Sequence, residues 1–412
     1  MRKVLLAGAA IGAVTLVGAP EAFAQKVEYA APYAPTSASP ALRSTPGVTV
    51  RLAGRYRFYG SYVDQQGEND RSQFDFFDYA RLWLGFDGQA ENGLQYGATL
   101  EVRMGQGANT AEGDQRGNLF YRRMYGYFGT PTMGQIRVGS GQVQAVELMT
   151  TGHMHGRVAS GLWDGDFQGA SAPVPNAFWY SSSGGNNRTA IGYYSPNFYG
   201  FDFGVSYSPN DGSFNSGTNV DRIIAASTDA EAAKATNQFD IMARYRGTFS
   251  GVGIAVSGGY RGSDTPRIAD GYTGAGYDGL SLGVFGATVS FAGLEVGGVT
   301  TFGKANTGAG NPLQKGPYDD NMFSWQLGAN YRFGPMAVGL AYHEVKSEGS
   351  VTNSEDRKEK GFGLGGSYAV APGFNIFAEY LWGEVEEKGT IIGNGRDSVR
   401  TNAVLLGTAF NW

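Results

Sequence analysis

VTVRLAGRYRFYGSY, the stretch from Val48 to Tyr62, decides the fold. Its even positions are Val48, Val50, Leu52, Gly54, Tyr56, Phe58, Gly60 and Tyr62, and its odd positions are Thr49, Arg51, Ala53, Arg55, Arg57, Tyr59 and Ser61. One face is apolar and aromatic while the other carries three arginines, a period of two that an extended strand presents on opposite sides. The alternation returns in Leu94 to Met104 (Leu94, Tyr96, Ala98, Leu100, Val102, Met104 against Gln95, Gly97, Thr99, Glu101, Arg103). It returns again in Phe323 to Phe333. Alternation over about ten residues is the length a tilted strand needs to cross a bilayer. Strands of a soluble sandwich average about five or six residues and hide their apolar face in a shared core.

The connections alternate in length as regularly as the side chains. Short turns fall at Gly88 to Gly93, Gly129 to Gly134, Ser195 to Gly200, Gly247 to Gly251, Ala292-Gly293, Gly334-Pro335 and Pro372-Gly373. Long polar loops fall near 63–73, 106–117, 141–187, 208–236, 261–278, 304–321, 348–358 and 386–396. Seven short turns interleaved with eight long loops delimit about sixteen strands, with both ends on the short-turn side. Closure follows from physics: in lipid every backbone amide needs a partner, and only a closed sheet has no edge. The expected fold is all-β, a roughly 16-stranded antiparallel transmembrane β-barrel over 48–412.

The N-terminus sets the compartment. Arg2 and Lys3 precede an apolar run from Val4 to Val17, and Ala22-Phe23-Ala24 supplies small residues for cleavage before Gln25, so 1–24 reads as a secretory signal peptide. Residues 25–47 hold four prolines and no periodicity, the composition of a periplasmic extension. Without cysteine, neither a disulfide framework nor a thiolate metal site is available. Glycine supplies 65 of the 412 residues without a collagen period, which suits tight turns, and the formal charge of −5 argues against a nucleic-acid partner.

Three stretches resemble the general porins of Gram-negative bacteria: Tyr79-Ala80-Arg81-Leu82-Trp83-Leu84-Gly85-Phe86; Phe120 to Phe128 with Gly129-Thr130 and Gly134-Gln135-Ile136-Arg137-Val138-Gly139; and Ile191 to Phe201 around Ser195-Pro196-Asn197. The C-terminus, alternating through Val404, Leu406 and Phe410 to Trp412, is similar to the signal that barrel assembly machinery reads. The resemblance implies a homotrimer in the outer membrane, in contact with its lipid and lipopolysaccharide. It also implies a third long loop folded into the barrel to narrow it. Where many relatives have arginine or glutamine after the fifth strand this chain has Ser140, so the family's basic cluster does not carry over whole.

The loop 141–187 is the longest connection and carries Glu147, Asp164 and Asp166, the candidate constriction carboxylates. Opposite it, the resemblance places Arg81 and Arg122 on the lumen wall, while alternation alone places Arg55, Arg57 and Arg103 there. Arg122 and Arg123 are adjacent, so strict alternation lets only one face inward. Arginines facing carboxylates across a narrow gap set a transverse field that favours polar solutes.

Enzyme motifs dissolve on inspection. Gly279-Leu280-Ser281-Leu282-Gly283 matches G-x-S-x-G but lies in an alternating strand, and two G-x-G-x-x-G matches, at 274–279 and 361–366, precede strands in a glycine-rich chain. His153 and His155 have no third ligand nearby, so no metal or cofactor is expected. The reading is an outer-membrane channel for passive diffusion of ions and small hydrophilic solutes, without enzyme chemistry. Its rivals are a channel selective for sugar, phosphate or organic acid, favoured by Tyr59, Phe77, Tyr79 and Trp83 on the lumen parity of Arg81, and a surface adhesin or enzyme barrel using Asp221, Asp229 and Glu231.

Overall fold

The computed structural model describes residues 47–67, 72–104, 119–154, 188–209, 236–264, 279–304, 322–347, 356–387 and 397–412. Sixteen strands run in chain order. The first half is β1 (Gly47–Gln65), β2 (Phe74–Gln89), β3 (Gln95–Met104), β4 (Leu119–Thr130), β5 (Gly134–Ser140), β6 (Thr189–Tyr194), β7 (Phe201–Ser208) and β8 (Gln238–Phe249). The second half is β9 (Val252–Gly262), β10 (Ser281–Phe291), β11 (Leu294–Lys304), β12 (Met322–Phe333), β13 (Met336–Ser347), β14 (Arg357–Ala371), β15 (Phe374–Glu387) and β16 (Ser398–Asn411). Among the described residues one short helix, α1 (Ala145–Met149), interrupts them after β5.

Every strand pairs antiparallel with its sequence neighbours, and β1 closes on β16, so the sheet is a barrel without edges. At the seam the backbone of Gly54 exchanges two hydrogen bonds with Trp412, at 3.0 and 3.1 Å. The indole occupies the space that a Gly54 side chain would need. The C-terminal aromatic therefore fastens the last strand to the first, and Phe410 stacks on Phe374 with ring centroids 4.8 Å apart.

All seven short turns fall where the sequence places them, and each carries a glycine with positive φ, from +57° at Gly334 to +97° at Gly200. Ser250-Gly251 and Ala292-Gly293 hold both central residues in the left-handed region, the two-residue hairpin geometry that matches strand twist.

Alternation sorts the two faces of the wall. On β1, Val50 is 79% exposed and Leu52 63%, whereas Arg55 is 1% exposed and Tyr59 fully buried. The outward face of the barrel is a continuous band of Phe, Leu, Val, Ile and Tyr. The inward face carries most of the arginines and carboxylates; Asp78, Glu384 and Arg400 are among those on the outward parity.

Besides an irregularity at the short-turn end of β14, between Ala369 and Ala371, one strand breaks the rule in its middle. Arg123 pairs with Glu101 and Tyr121 with Val102, which leaves Arg122 as an extra residue in β4. This β-bulge shifts the parity: Leu119 and Tyr121 are exposed before it, Met124 and Phe128 after it. Both Arg122 and Arg123 consequently face inward, which corrects the expectation that only one could.

Candidate functional site: the inner wall and the segment across it

The basic wall is built by β1 to β4. Register sets Arg55 beside Arg81 and Arg81 beside Arg103, so three guanidinium groups lie in one row across three strands. One row towards the short turns, Glu101 sits among them. Its carboxylate lies 2.9 Å from Arg103 Nε, 3.4 Å from Arg122 Nη1, 3.5 Å from Arg81 Nη1 and 3.3 Å from Arg123 Nη1. One carboxylate thus collects four cations, and the cluster keeps a net positive charge. Arg57 donates to the Tyr59 hydroxyl at 3.2 Å, and Arg55 lies over the Trp83 ring at 6.0 Å. Nearer the short turns, Arg51 pairs with Asp87 at 2.5 Å, and Asp87 also accepts a hydrogen bond from Tyr127.

On the other side, the chain leaving β5 runs along the inner face of β6 to β12. Val143, Gln144, Ala145, Val146 and Met149 are buried to 1% exposure or less. Ala145, Val146, Leu148 and Met149 form an apolar cluster with Tyr194, Met242, Val284 and Val299 of the wall. The backbone donors of a segment outside the sheet need partners, and wall side chains supply them. Ser206 Oγ accepts from Ala145 N–H at 3.0 Å, Asp240 Oδ2 from Val146 N–H at 3.3 Å, Ser257 Oγ from Thr151 N–H at 2.9 Å, and Gln326 Oε1 from Met154 N–H at 3.1 Å. The first two satisfy the free N–H groups at the start of α1, which has no side-chain cap of its own.

Glycines let this segment approach. An added Cβ at Gly286 would collide with the Thr151 carbonyl oxygen, at Gly204 it would stand 2.6 Å from Met149 Sδ, and at Gly328 2.6 Å from Met154 Cβ. The approach carries Glu147 to Arg123, whose Nη2 is 3.1 Å from its carboxylate. Arg123 therefore bridges Glu101 on the wall to Glu147 on the segment. Burial pushes the Glu147 carboxyl above the usual glutamate range, against the pull of Arg123 and Arg122.

Of the candidate residues, Arg55, Arg57, Arg81, Arg103 and Arg122 all face inward, and Glu147 meets the arginine cluster. Asp164 and Asp166 lie outside the described residues, as do His155 and the acidic residues of 210–235, and so does the side chain of Tyr79. Sequence reasoning left Arg122 and Arg123 as alternatives, and the bulge turns both inward. That reasoning missed the ion pairs of Asp202 with Arg244 and Arg246, at 2.5 and 2.7 Å, and of Asp240 with Arg261 at 2.7 Å. Their signal was present: each stands on the inward parity of its strand.

Tyr59 stacks on Phe77 at 4.4 Å and meets Phe377 edge-on at 5.3 Å, so two of the four aromatics read from the sequence are in contact, while Trp83 lies under Arg55. Ser281 begins β10 and its hydroxyl is bonded by Tyr260 at 2.9 Å, a phenol rather than the histidine or carboxylate that would activate a nucleophile. Among the described residues no group of three or more potential metal ligands occurs.

The family model for Gram-negative porins matches residues 7–388. The chain belongs to this family. No curated protein matches it in sequence. Solved structures share its fold: an anion-selective porin from Comamonas acidovorans is 17% identical with a TM-score of 0.57, covering 89% of this chain and 100% of that one. The outer-membrane channel DcaP of Acinetobacter baumannii is 16% identical with a TM-score of 0.55, covering 90% and 99%. OmpT of Vibrio cholerae is 13% identical with a TM-score of 0.55 over the same shares. This porin is thus an outer-membrane β-barrel and a channel for diffusion.

Proposed function

We propose that the porin is an anion-preferring diffusion channel for ions and small hydrophilic solutes, narrowed part-way down by the 141–187 connection. The observation that carries the reading is the charge of the inner wall. On β1 to β4, Arg51, Arg55, Arg57, Arg81, Arg103, Arg122 and Arg123 have inward parity, against Asp75, Asp87 and Glu101. The whole chain is acidic, so this basic excess is a matter of placement. Guanidinium groups stay charged at any accessible pH, and a confined passage weakens the screening that water gives on an open surface.

Glu147 supplies the opposing carboxylate, and Asp164 and Asp166 of the same connection extend the acidic side of the constriction. The Comamonas porin of the same fold is anion-selective, in keeping with this reading. The lumen passes solutes without chemistry and without a cofactor. The remaining parts are ancillary: 1–24 exports the chain, 25–47 is a periplasmic extension, Phe410 and Trp412 address it to the barrel assembly machinery, and the porin works as a homotrimer among outer-membrane lipid and lipopolysaccharide.

A substrate-selective channel is the second reading, favoured by the Tyr59, Phe77 and Phe377 cluster beside Arg57. Flux of sugars and organic acids into proteoliposomes separates the two. Diffusion predicts rates linear in concentration and ordered by solute size and charge. Saturation at low concentration by one solute would replace it with the selective channel.

A further inference from the structure

Past β5 the chain leaves the wall and enters the lumen, and two side chains of the wall hold it where it does. β5 ends at Ser140, whose hydroxyl is 2.8 Å from that of Thr189 on β6. Around this end the backbone passes through the left-handed region: Gly139 has φ +135°, Gly141 +72° and Gln142 +53°. A glutamine adopts such a φ only where its surroundings over-determine it. The carbonyls of Gln142 and Val143 lie beyond the pairing of the sheet, and each needs a partner.

Both partners come from the wall, and both are fixed by their own neighbours. The Tyr194 hydroxyl of β6 donates to the Val143 carbonyl at 2.5 Å, and Arg137 Nη1 of β5 donates to the Gln142 carbonyl at 3.2 Å. The Tyr194 ring lies over two glycines: an added Cβ would stand 3.2 Å from it at Gly192 and 2.9 Å at Gly204. The Arg137 guanidinium lies over the rings of Tyr125 and Tyr194, at 5.3 and 5.6 Å, and its Nε donates to Gln135 Oε1 at 2.7 Å. Tyr194 and Arg137 are both buried, so they are placed to hold the chain rather than to meet a solute. The turn also leans on the ion cluster, because a Cβ at Gly141 would stand 2.6 Å from Arg123 Cγ. Arg123 reaches Glu147 with its guanidinium, so the turn and the Glu147 carboxylate are both set against one side chain.

We propose that Tyr194 and Arg137 are positioning residues that set the width of the passage, by fixing how far the segment stands out from the wall at its root. The proposal rests on the reading of 141–187 as the constriction. Beyond the root, Ser206, Asp240, Ser257 and Gln326 still tie residues 145 to 154 to the wall. Loss of one root bond therefore lets the segment shift without coming away, and the closure of β1 on β16 does not depend on it. A shift at the root changes the size of solute that passes, since a supporting contact governs how tightly the group it carries is placed. The arginines of β1 to β4 stay where they are and keep the charge that an incoming ion meets.

The test reads solute size, by the swelling of liposomes that hold the folded, heat-modifiable protein. Tyr194→Phe keeps the ring and its stack and removes the hydroxyl alone, while Arg137→Ala removes the second bond. In each, entry of a trisaccharide relative to a monosaccharide should rise several-fold over the parent. Tyr193→Phe, which removes the hydroxyl that bonds the Met133 carbonyl from the other face of β6, should leave the ratio unchanged. A parental ratio in Tyr194→Phe and Arg137→Ala would overturn the proposal, as would an equal rise in Tyr193→Phe; if Arg137→Ala does not fold, Tyr194→Phe decides alone. Because the chain has no cysteine, Glu147→Cys separates this failure from failure of the constriction reading. A charged methanethiosulfonate reagent should reduce its conductance in planar bilayers. No reduction removes the constriction and the proposal with it, whereas a reduction alongside parental ratios overturns the proposal alone.

Discussion

Glu101 holds four guanidinium groups that would otherwise repel one another, and Arg123 links it to Glu147. Removing one partner of a buried ion network leaves the others uncompensated, at a cost of roughly 3–5 kcal/mol. Glu101→Gln should therefore lower the urea midpoint of the folded barrel and strengthen the preference for anions; a variant with the stability and selectivity of the parent would show that the cluster does neither job. Glu147 gives a pH dependence. Its folded-state value lies above the unfolded one, so the folded protein binds the extra proton between the two. Its contribution to stability is fullest below the unfolded value and is lost as pH rises through the folded one. Acidification should neutralise Glu147 above the usual glutamate range and move the reversal potential towards anions, a step absent in Glu147→Gln. At this scale parity alone made Arg55, Arg57, Arg81 and Arg103 legible. That both Arg122 and Arg123 face inward was not, because a bulge is a property of two paired strands.

The bulge in β4 and the segment after β5 are the elements in which the inner face departs from that of a plain barrel. Deleting Arg122 should convert β4 into a regular strand with Tyr121 and Met124 still outward and Arg123 inward. We expect a folded, heat-modifiable protein with a weaker anion preference. Deleting Tyr125 instead leaves the bulge and throws Gly126, Tyr127 and Phe128 onto the wrong faces, so it should abolish folding. Band-shift assays on both deletions check this, and a folded Tyr125 deletion with an unfolded Arg122 deletion would contradict the register. The turns were legible because each needs a residue that tolerates positive φ, and glycine marks it. The path of 141–154 was not. It depends on Ser206, Asp240, Ser257 and Gln326 arriving on neighbouring strands to receive backbone donors, and on glycines such as Gly286 leaving room, none of which lies within one local stretch.

For the whole molecule, sixteen strands, closure of β1 on β16 and an apolar outside around a charged inside all follow from one alternating pattern and the need to satisfy every amide in lipid. Family membership places this barrel in the outer membrane. On the proposed reading the arginines of β1 to β4 set which ions pass, and reversal potentials in a potassium chloride gradient across planar bilayers report this. The parent should prefer chloride. Arg81→Ala with Arg103→Ala should move the potential towards cations at low salt, and the shift should shrink near 1 M, where the Debye length falls to about 3 Å. Identical reversal potentials for parent and double variant at low salt would contradict the account, because those arginines would then not line the path that ions take.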